Sequence, residues 1–289
     1  YNRELICEKL KNAIEKSKDY IGMGEPASYI PELLNVDSDN FAFSLVTTNG
    51  DAFNFGDENI VFSIQSISKI IDLIIALTDN NPQDVYEKVG SEPTKYEFNS
   101  LVPIGDRAAN PFINAGAITT TSMIFGRDNE ERFDRILNFY QTISDFKESK
   151  LMEDVFDSEM KTTDRNKAIA YYLKSKNIFT ANPDEVLELY IKSCSISSNI
   201  EGLATMGAVL ANKGYAVKNR DMLVPESIVQ IVVSQMASCG MYENSGDYLM
   251  NVGIPSKSGV SGAIVGVVPG VCGLAVYSPR LDKTGNSVR

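Results

Sequence analysis

The chain has 289 residues, of which 43% are hydrophobic and 22% charged, a composition typical of one large globular domain or two modest ones. Its formal net charge of -11 disfavours binding to nucleic acid and to anionic membrane lipid, so neither partner is expected. The absence of histidine excludes Ser-His-Asp and Cys-His catalysis, and also histidine-ligated zinc. Any catalytic base must therefore be a lysine, a tyrosine, a carboxylate or a chain terminus.

The N-terminal segment 2–20 has apolar residues at helical spacing and predicts an amphipathic helix. It is charged throughout and lacks the apolar stretch of a secretory signal. The apolar segment 263–277 is broken by glycine and proline, and it predicts two short strands rather than a membrane helix. We therefore expect a cytoplasmic protein with reduced thiols at its scattered cysteines, Cys7, Cys194, Cys239 and Cys272.

Strands are predicted near both ends of the chain. Asn49 and Gly50 separate two alternating segments, which predicts a β-hairpin closed by a type I′ turn. Near the C-terminus, Pro269 and Gly270 predict a turn between two further strands. The intervening part shows helical periodicity and capping signals, which predict helices over 129–146 and 163–175, from Asn182, over 201–214, and from about Pro225.

This order of elements predicts an α+β fold, with an antiparallel sheet built from both chain ends and a helical lobe inserted between them. The sheet-containing lobe is expected at roughly 1–62 and 215–289, and the helical lobe at roughly 63–214. Both lobes belong to one predicted domain, 1–289. A cleft between them is the expected ligand site.

A buried helix follows the first hairpin, because the residues after Ile64 are apolar on all sides. Ser66 and Lys69 begin this helix, three residues apart and on one face. A buried lysine has a lowered pKa and can act as a base towards a serine hydroxyl. A structural alternative remains open at this point, in which Ser66 caps the helix and Lys69 extends to the surface.

Two other Ser-x-x-Lys sequences, 144–147 and 158–161, lie in charged stretches and are interpreted as helix surface. A second sequence motif supports a catalytic role for the Ser-x-x-Lys sequence at Ser66 and Lys69 rather than for these two. Lys257-Ser258-Gly259, at the start of a late strand, is the element that accompanies Ser-x-x-Lys in penicillin-binding proteins and β-lactamases. The two elements in this order indicate serine acyl-transfer chemistry.

The whole chain resembles the serine-dependent glutaminases, which have the fold of serine β-lactamases and penicillin-binding proteins. The resemblance lies in segments that occur in the family's order: PASYIPELL (26–34), FSIQSISKI (62–70), FNSLV (98–102), NPFINAGAI (110–118), ATMGA (204–208), CGMY (239–242), SGD (245–247), KSGV (257–260) and GNSVR (285–289). The resemblance implies hydrolysis of L-glutamine to L-glutamate and ammonia through a serine acyl-enzyme.

The resemblance also implies catalytic roles. Ser66 matches the nucleophile and Lys69 the amine that activates it. Val260 matches the position whose backbone N–H joins that of Ser66 in the oxyanion hole, and Tyr242 matches a tyrosine that relays a proton near the reacting amide. Lys257 is expected to support this group.

Further matches imply a substrate-binding set, in which Ser66, Tyr242 and Val260 are joined by Tyr29, Asn114, Glu159, Asn166 and Tyr190. Glu159 is a suitable partner for the α-ammonium group, and the amides and Tyr29 can donate to the α-carboxylate. From the residues alone, Glu159 and Asn166 would be placed on the surface and Tyr190 in the core.

The family resemblance implies that no metal or organic cofactor is required. It also implies that the protein is a homodimer or homotetramer. The chain differs from the common family pattern at Ser261 and Ala263, where glycines are usual. It also ends at Arg289, where relatives usually continue, so a shortened chain is expected.

Two alternatives to a glutaminase remain open. One is another serine acyl-transfer enzyme of this fold, a β-lactamase or D,D-peptidase. The other is a catalytically silent amino-acid-binding protein.

Overall fold

The computed structural model describes all residues, 1–289. The helices are α1 (Arg3–Ser17), α2 (Ser68–Asp79), α3 (Pro82–Lys88), α4 (Asn114–Thr121), α5 (Asn129–Ser144), α6 (Glu153–Lys161), α7 (Asp164–Ser175), α8 (Pro183–Cys194), α9 (Ile200–Ala211), α10 (Glu226–Cys239) and α11 (Ser245–Val252). The strands are β1 (Ala42–Thr47), β2 (Ala52–Gly56), β3 (Phe62–Ser63), β4 (Ser197–Ser198), β5 (Ser256–Gly259), β6 (Ala263–Val268) and β7 (Cys272–Tyr277).

The main sheet has the strand order β2-β1-β7-β6-β5, and every neighbouring pair is antiparallel. Strands from both chain ends meet at the β1–β7 pair, which confirms the predicted α+β arrangement. Helix α9 packs closely across this sheet. A Cβ built on Gly273 of β7 would lie 2.1 Å from the backbone nitrogen of Ala208, so only glycine permits this approach.

The first hairpin forms as predicted, but its turn is different. Only Gly50 has a positive φ, +87°, whereas a type I′ turn needs positive φ at both central residues. The backbone N–H of Thr47 donates to the carbonyl of Asp51, which leaves a three-residue connection with glycine at its left-handed position. The type I′ prediction was wrong because Asn49 does not adopt a positive φ.

Helix α1 is shorter than the predicted 2–20 and is followed by a 3-10 turn over Lys18–Tyr20. Asn2 caps it by accepting a hydrogen bond from the backbone of Leu5. None of its residues is buried, so its apolar stripe lies only partly against the protein.

Helix α2 is buried on all sides, as predicted, and packs against α4, α5, α8 and α10. A 3-10 turn over Gln65–Ile67 precedes it. This turn comes shortly after β3, which pairs with the distant β4. This turn packs on β5. The start of α2 is therefore held where the sheet meets the helices.

The segment 263–277 forms β6 and β7, and all four cysteines are free. Ser144, expected on a helix surface, is instead buried and donates to the carbonyl of Tyr140. No helix combines the length and the apolar character needed to cross a membrane.

Candidate active site

Ser66 and Lys69 lie together at the buried start of α2. Gln65, directly before the serine, has a φ of 47°, a left-handed conformation that L-residues rarely adopt. Ser66 is 7% exposed and makes no capping hydrogen bond, and Lys69 is fully buried. The structural alternative, a capping serine and a surface lysine, is therefore wrong.

Lys69 is held by neutral oxygen atoms. Its Nζ donates to Oδ1 of Asn114 at 2.8 Å and to the carbonyl of Phe112 at 3.4 Å. Burial lowers its pKa from 10.5 to about 8, and the nearby acidic groups Glu159 and Asp72 oppose this only in part. At pH 7 roughly a tenth of the amine is then neutral, which is the form a general base requires.

Tyr242 lies between the two buried lysines. Nζ of Lys257 is 4.4 Å from the centre of its ring and that of Lys69 is 5.9 Å away. Burial raises the pKa of Tyr242 to about 12, against the opposing effect of the Ser66 and Ser258 hydroxyls. Its own hydroxyl forms no well-aligned hydrogen bond, so it remains available for a reacting group.

Lys257 is fully buried and donates to the carbonyl of Ser258 at 2.6 Å. Burial, together with the charge of Lys69, lowers its pKa well below the ordinary value. This lowering favours the uncharged form of Lys257 beside Lys69, which is consistent with its predicted supporting role.

The end of β5 presses against the serine segment. A Cβ built on Gly259 would lie 2.8 Å from the carbonyl of Ile64 and 3.4 Å from the backbone nitrogen of Ser66. The next residue, Val260, is therefore placed beside the Ser66 backbone. This packing is consistent with the predicted pairing of the Ser66 and Val260 backbone N–H groups in an oxyanion hole.

Asn114 links three further elements. Its Oδ1 accepts from Lys69 and from the hydroxyl of Tyr190 at 3.1 Å, and its Nδ2 donates to Oδ1 of Asn166 at 2.8 Å. Both asparagines and Tyr190 are buried. Asn166 therefore does not lie on a surface as its local sequence indicated.

Glu159 is 4% exposed, and its Oε2 has no hydrogen-bond partner. Burial raises its pKa from 4.5 to about 8, and the charge of Lys69 opposes this. Glu159 lies in the last turn of α6 and Asn166 in the first turn of α7, so the two residues are on different helices rather than on one helical face. A buried, unpaired carboxyl group is a suitable site for a cationic ligand group.

Tyr29 closes the site from outside. Its residue surface is 45% exposed, but its hydroxyl is buried near Glu159 and Tyr242, and this burial raises its pKa. Tyr29 and Val260 line a cavity of about 340 Å³ that opens to solvent. A larger groove of about 550 Å³ lies between α3 and α10, but it contains none of the predicted site residues.

Two contributors were not predicted. Phe98 packs on Tyr242 with the two rings tilted and their centres 4.8 Å apart, and Ser258 brings a buried hydroxyl to the same tyrosine. Both lie inside segments that carried the family resemblance. No spacing signal pointed to Phe98. Ser258 belongs to the Lys257-Ser258-Gly259 element, but its contact with Tyr242 forms only in the folded chain.

Comparison with known proteins places this geometry in a family. A sequence profile described as Glutaminase matches residues 24–289. A protein named glutaminase from Clostridium tetani is 43% identical over 288 residues, which is 98% of this chain and 94% of that protein.

Solved structures agree with the sequence match. A probable glutaminase from Bacillus subtilis, complexed with 6-diazo-5-oxo-L-norleucine, superposes with a TM-score of 0.90 at 34% identity, covering 100% of this chain and 93% of that one. Mglu in its glutamate form gives 0.92 at 34% identity, covering 99% of this chain and 66% of that one. These neighbours confirm a fold like that of β-lactamases. The chain belongs to the glutaminase family.

Proposed function

We propose that this chain hydrolyses L-glutamine to L-glutamate and ammonia, with Ser66 as the nucleophile. The observation that carries the proposal is the buried Ser66–Lys69 pair, in which burial lowers the pKa of the amine to about 8. Family membership indicates the same reaction. We also propose that residues 1–289 act as one catalytic domain.

The first half-reaction forms the acyl-enzyme. Neutral Lys69 takes the proton of the Ser66 hydroxyl while the serine oxygen bonds to the side-chain amide carbon. The backbone N–H groups of Ser66 and Val260 stabilise the negative oxygen that develops, a contribution of about 3–4 kcal/mol per donor in well-studied enzymes. Collapse of this intermediate breaks the C–N bond, and the departing nitrogen takes a proton from protonated Lys69, relayed by Tyr242.

The second half-reaction uses water. Lys69, neutral again, takes a proton from the water that attacks the ester, and the returning proton restores the Ser66 hydroxyl as glutamate leaves. Every step uses groups of this chain, the substrate and water.

Substrate selection follows from the buried polar groups. The unpaired Oε2 of Glu159 receives the α-ammonium group, and the positive ligand favours ionisation of a carboxyl whose pKa burial has raised to about 8. Tyr29, Asn114 and Asn166 can donate to the α-carboxylate, with Tyr190 holding Asn114 in place. This arrangement selects a free α-amino acid.

The test is release of ammonia and glutamate from L-glutamine by the purified protein, with L-asparagine and Ser66→Ala as controls. Equal amounts of both products, abolished by the substitution, are expected. A folded protein that is stabilised by glutamine but releases no ammonia would instead be an amino-acid-binding protein.

Two further proposals concern the cellular form. The four free cysteines support a cytoplasmic location. A homodimer or homotetramer rests on the family resemblance alone, and sedimentation equilibrium tests it directly.

A further inference from the structure

Asp72 is a buried carboxyl group that the proposed mechanism does not use. It lies on α2, one helical turn after Lys69, and its side chain is fully buried. An ionised carboxylate inside a protein is costly unless a compensating charge or hydrogen bonds stabilise it. Its presence in an otherwise apolar helix therefore needs a physical reason.

The polar groups around Asp72 only partly satisfy it. Its Oδ2 accepts a hydrogen bond of 3.4 Å from the hydroxyl of Thr121 on α4. Its Oδ1 has no partner at full hydrogen-bond geometry, but the buried Ser193 hydroxyl of α8 lies near enough to the carboxyl to oppose the rise of its pKa. Hydroxyl groups alone therefore leave part of the carboxyl unsatisfied.

Lys69 is the cation that faces Asp72. Residues three apart in a helix share a face, so both side chains point towards α4 and α8. They form no ion pair, because Nζ of Lys69 is bound to Asn114 and to the carbonyl of Phe112. Their interaction acts through the protein interior, where charges are screened less than in water.

The other ionisable groups around α2 have different surroundings. Cys194 of α8 lies near Asp72 and Lys69, but burial keeps it as a neutral thiol. Arg135 of α5 is bound to Asp79 at the far end of α2. The thiol of Cys239 on α10 forms its hydrogen bonds with Ser91 and Ser238. From α4, Thr121 donates its hydroxyl hydrogen bond to Asp72. Glu159 of α6, Lys257 of β5 and Tyr242 lie near Lys69.

We propose that Asp72 is a positioning residue for the reaction: an ionised carboxylate, buried one turn from Lys69, that stabilises the protonated amine formed when Lys69 removes the proton of Ser66. The inference rests on the proposed function. Asp72 contacts neither substrate nor Ser66 and acts through Lys69 alone.

The titration of the two groups is consistent with this role. Burial raises the pKa of Asp72 to about 7, while the pKa of Lys69 is about 8. Asp72 therefore ionises just below the pH at which Lys69 loses its proton. An ionised Asp72 raises the pKa of Lys69, so its removal lowers that pKa.

The test is a titration of ¹³C-labelled lysine side chains by NMR, comparing wild type with Asp72→Asn and identifying the Lys69 signal by its loss in Lys69→Arg. The pKa of Lys69 is expected to fall by about 1 unit in Asp72→Asn. The apparent pKa of the acid limb of kcat/KM for glutamine should fall by the same amount. In this variant kcat should be reduced and KM unchanged. Asp79→Asn, which removes a charge from the same helix beside Arg135, should leave Lys69 unmoved.

An unchanged Lys69 pKa in folded Asp72→Asn overturns the inference. If that variant does not fold, Ser193→Ala and Thr121→Val decide the question, since each favours the neutral form of Asp72 and should shift Lys69 in the same direction. No shift in either also overturns it. Because the NMR titration does not need turnover, failure of the proposed function is recognised separately by wild-type protein that releases no ammonia.

Discussion

Nζ of Lys69 donates a hydrogen bond of 2.8 Å to Oδ1 of Asn114, the first residue of α4. The acceptor is a neutral amide oxygen that also accepts from Tyr190. Lys69 is therefore oriented without a direct negative partner, which leaves its pKa at about 8. A carboxylate at this position would hold the lysine in its protonated, inactive form.

Asn114→Asp tests this relationship. The new carboxylate should raise the pKa of Lys69 by about 1–3 units, so the acid limb of kcat/KM moves to higher pH. Activity near neutral pH should fall at least about tenfold. The matched control is Asn166→Asp, whose side chain is one hydrogen bond further from Lys69. It should weaken glutamine binding but shift the pH of the acid limb less. An unmoved acid limb in folded Asn114→Asp would contradict the role of Lys69 as base.

Tyr242→Phe tests the proton relay. The ring should keep its contact with Phe98, so folding and KM should change little. Loss of the hydroxyl should lower kcat about 10²-fold or more. Tyr140→Phe removes a buried hydroxyl that is bonded to Ser198, outside the site, and serves as the control. Wild-type kcat in Tyr242→Phe would eliminate the relay.

Glu159→Gln should separate stability from function. Burial raises the carboxyl pKa from 4.5 to about 8, so the folded state holds a proton that the unfolded state releases. Stability of the ligand-free wild type is therefore lost as pH rises from about 4.5 towards about 8. The amide variant lacks this penalty, so its Tm should exceed that of wild type by a few degrees near pH 8 and match it near pH 4.5.

The same variant should lose glutamine binding, because no carboxylate remains for the α-ammonium group. Differential scanning calorimetry with and without glutamine measures both effects. Equal Tm values at both pH values, or glutamine stabilisation equal to wild type, would show that Glu159 has neither role.

Gly259→Ala tests the contact between β5 and the nucleophile segment. Its new Cβ would meet backbone atoms of Ile64 and Ser66, which cannot move independently of the site. We expect a loss of about 1–3 kcal/mol in the free energy of unfolding and a reduced kcat. Gly246→Ala, in α11 with open space at the Cβ position, should be neutral or slightly stabilising. Unchanged kcat and unfolding in Gly259→Ala would show that the contact is unimportant.

The sequence predicted the sheet, the buried helix and the family correctly because these depend on periodicity and on contiguous motifs. It could not place Glu159, since the charged residues around it on α6 are typical of a surface. Its burial arises only when α6 packs on α8 and on the 3-10 turn Pro31–Asn35. Asp72 was missed for a similar reason, because its place in a mostly apolar helix does not reveal which groups will surround it. The turn at Asn49-Gly50 was misassigned because the dipeptide is compatible with both two- and three-residue connections.

Covalent labelling with 6-diazo-5-oxo-L-norleucine tests the central claim, that Ser66 is the nucleophile of a glutamine-hydrolysing site, most directly. Intact-mass spectrometry should show one adduct per chain, peptide mapping should place it on Ser66, and L-glutamate should protect against it. Ser66→Ala should remain unlabelled. A wild-type enzyme that hydrolyses glutamine but carries the adduct on another residue would contradict the account.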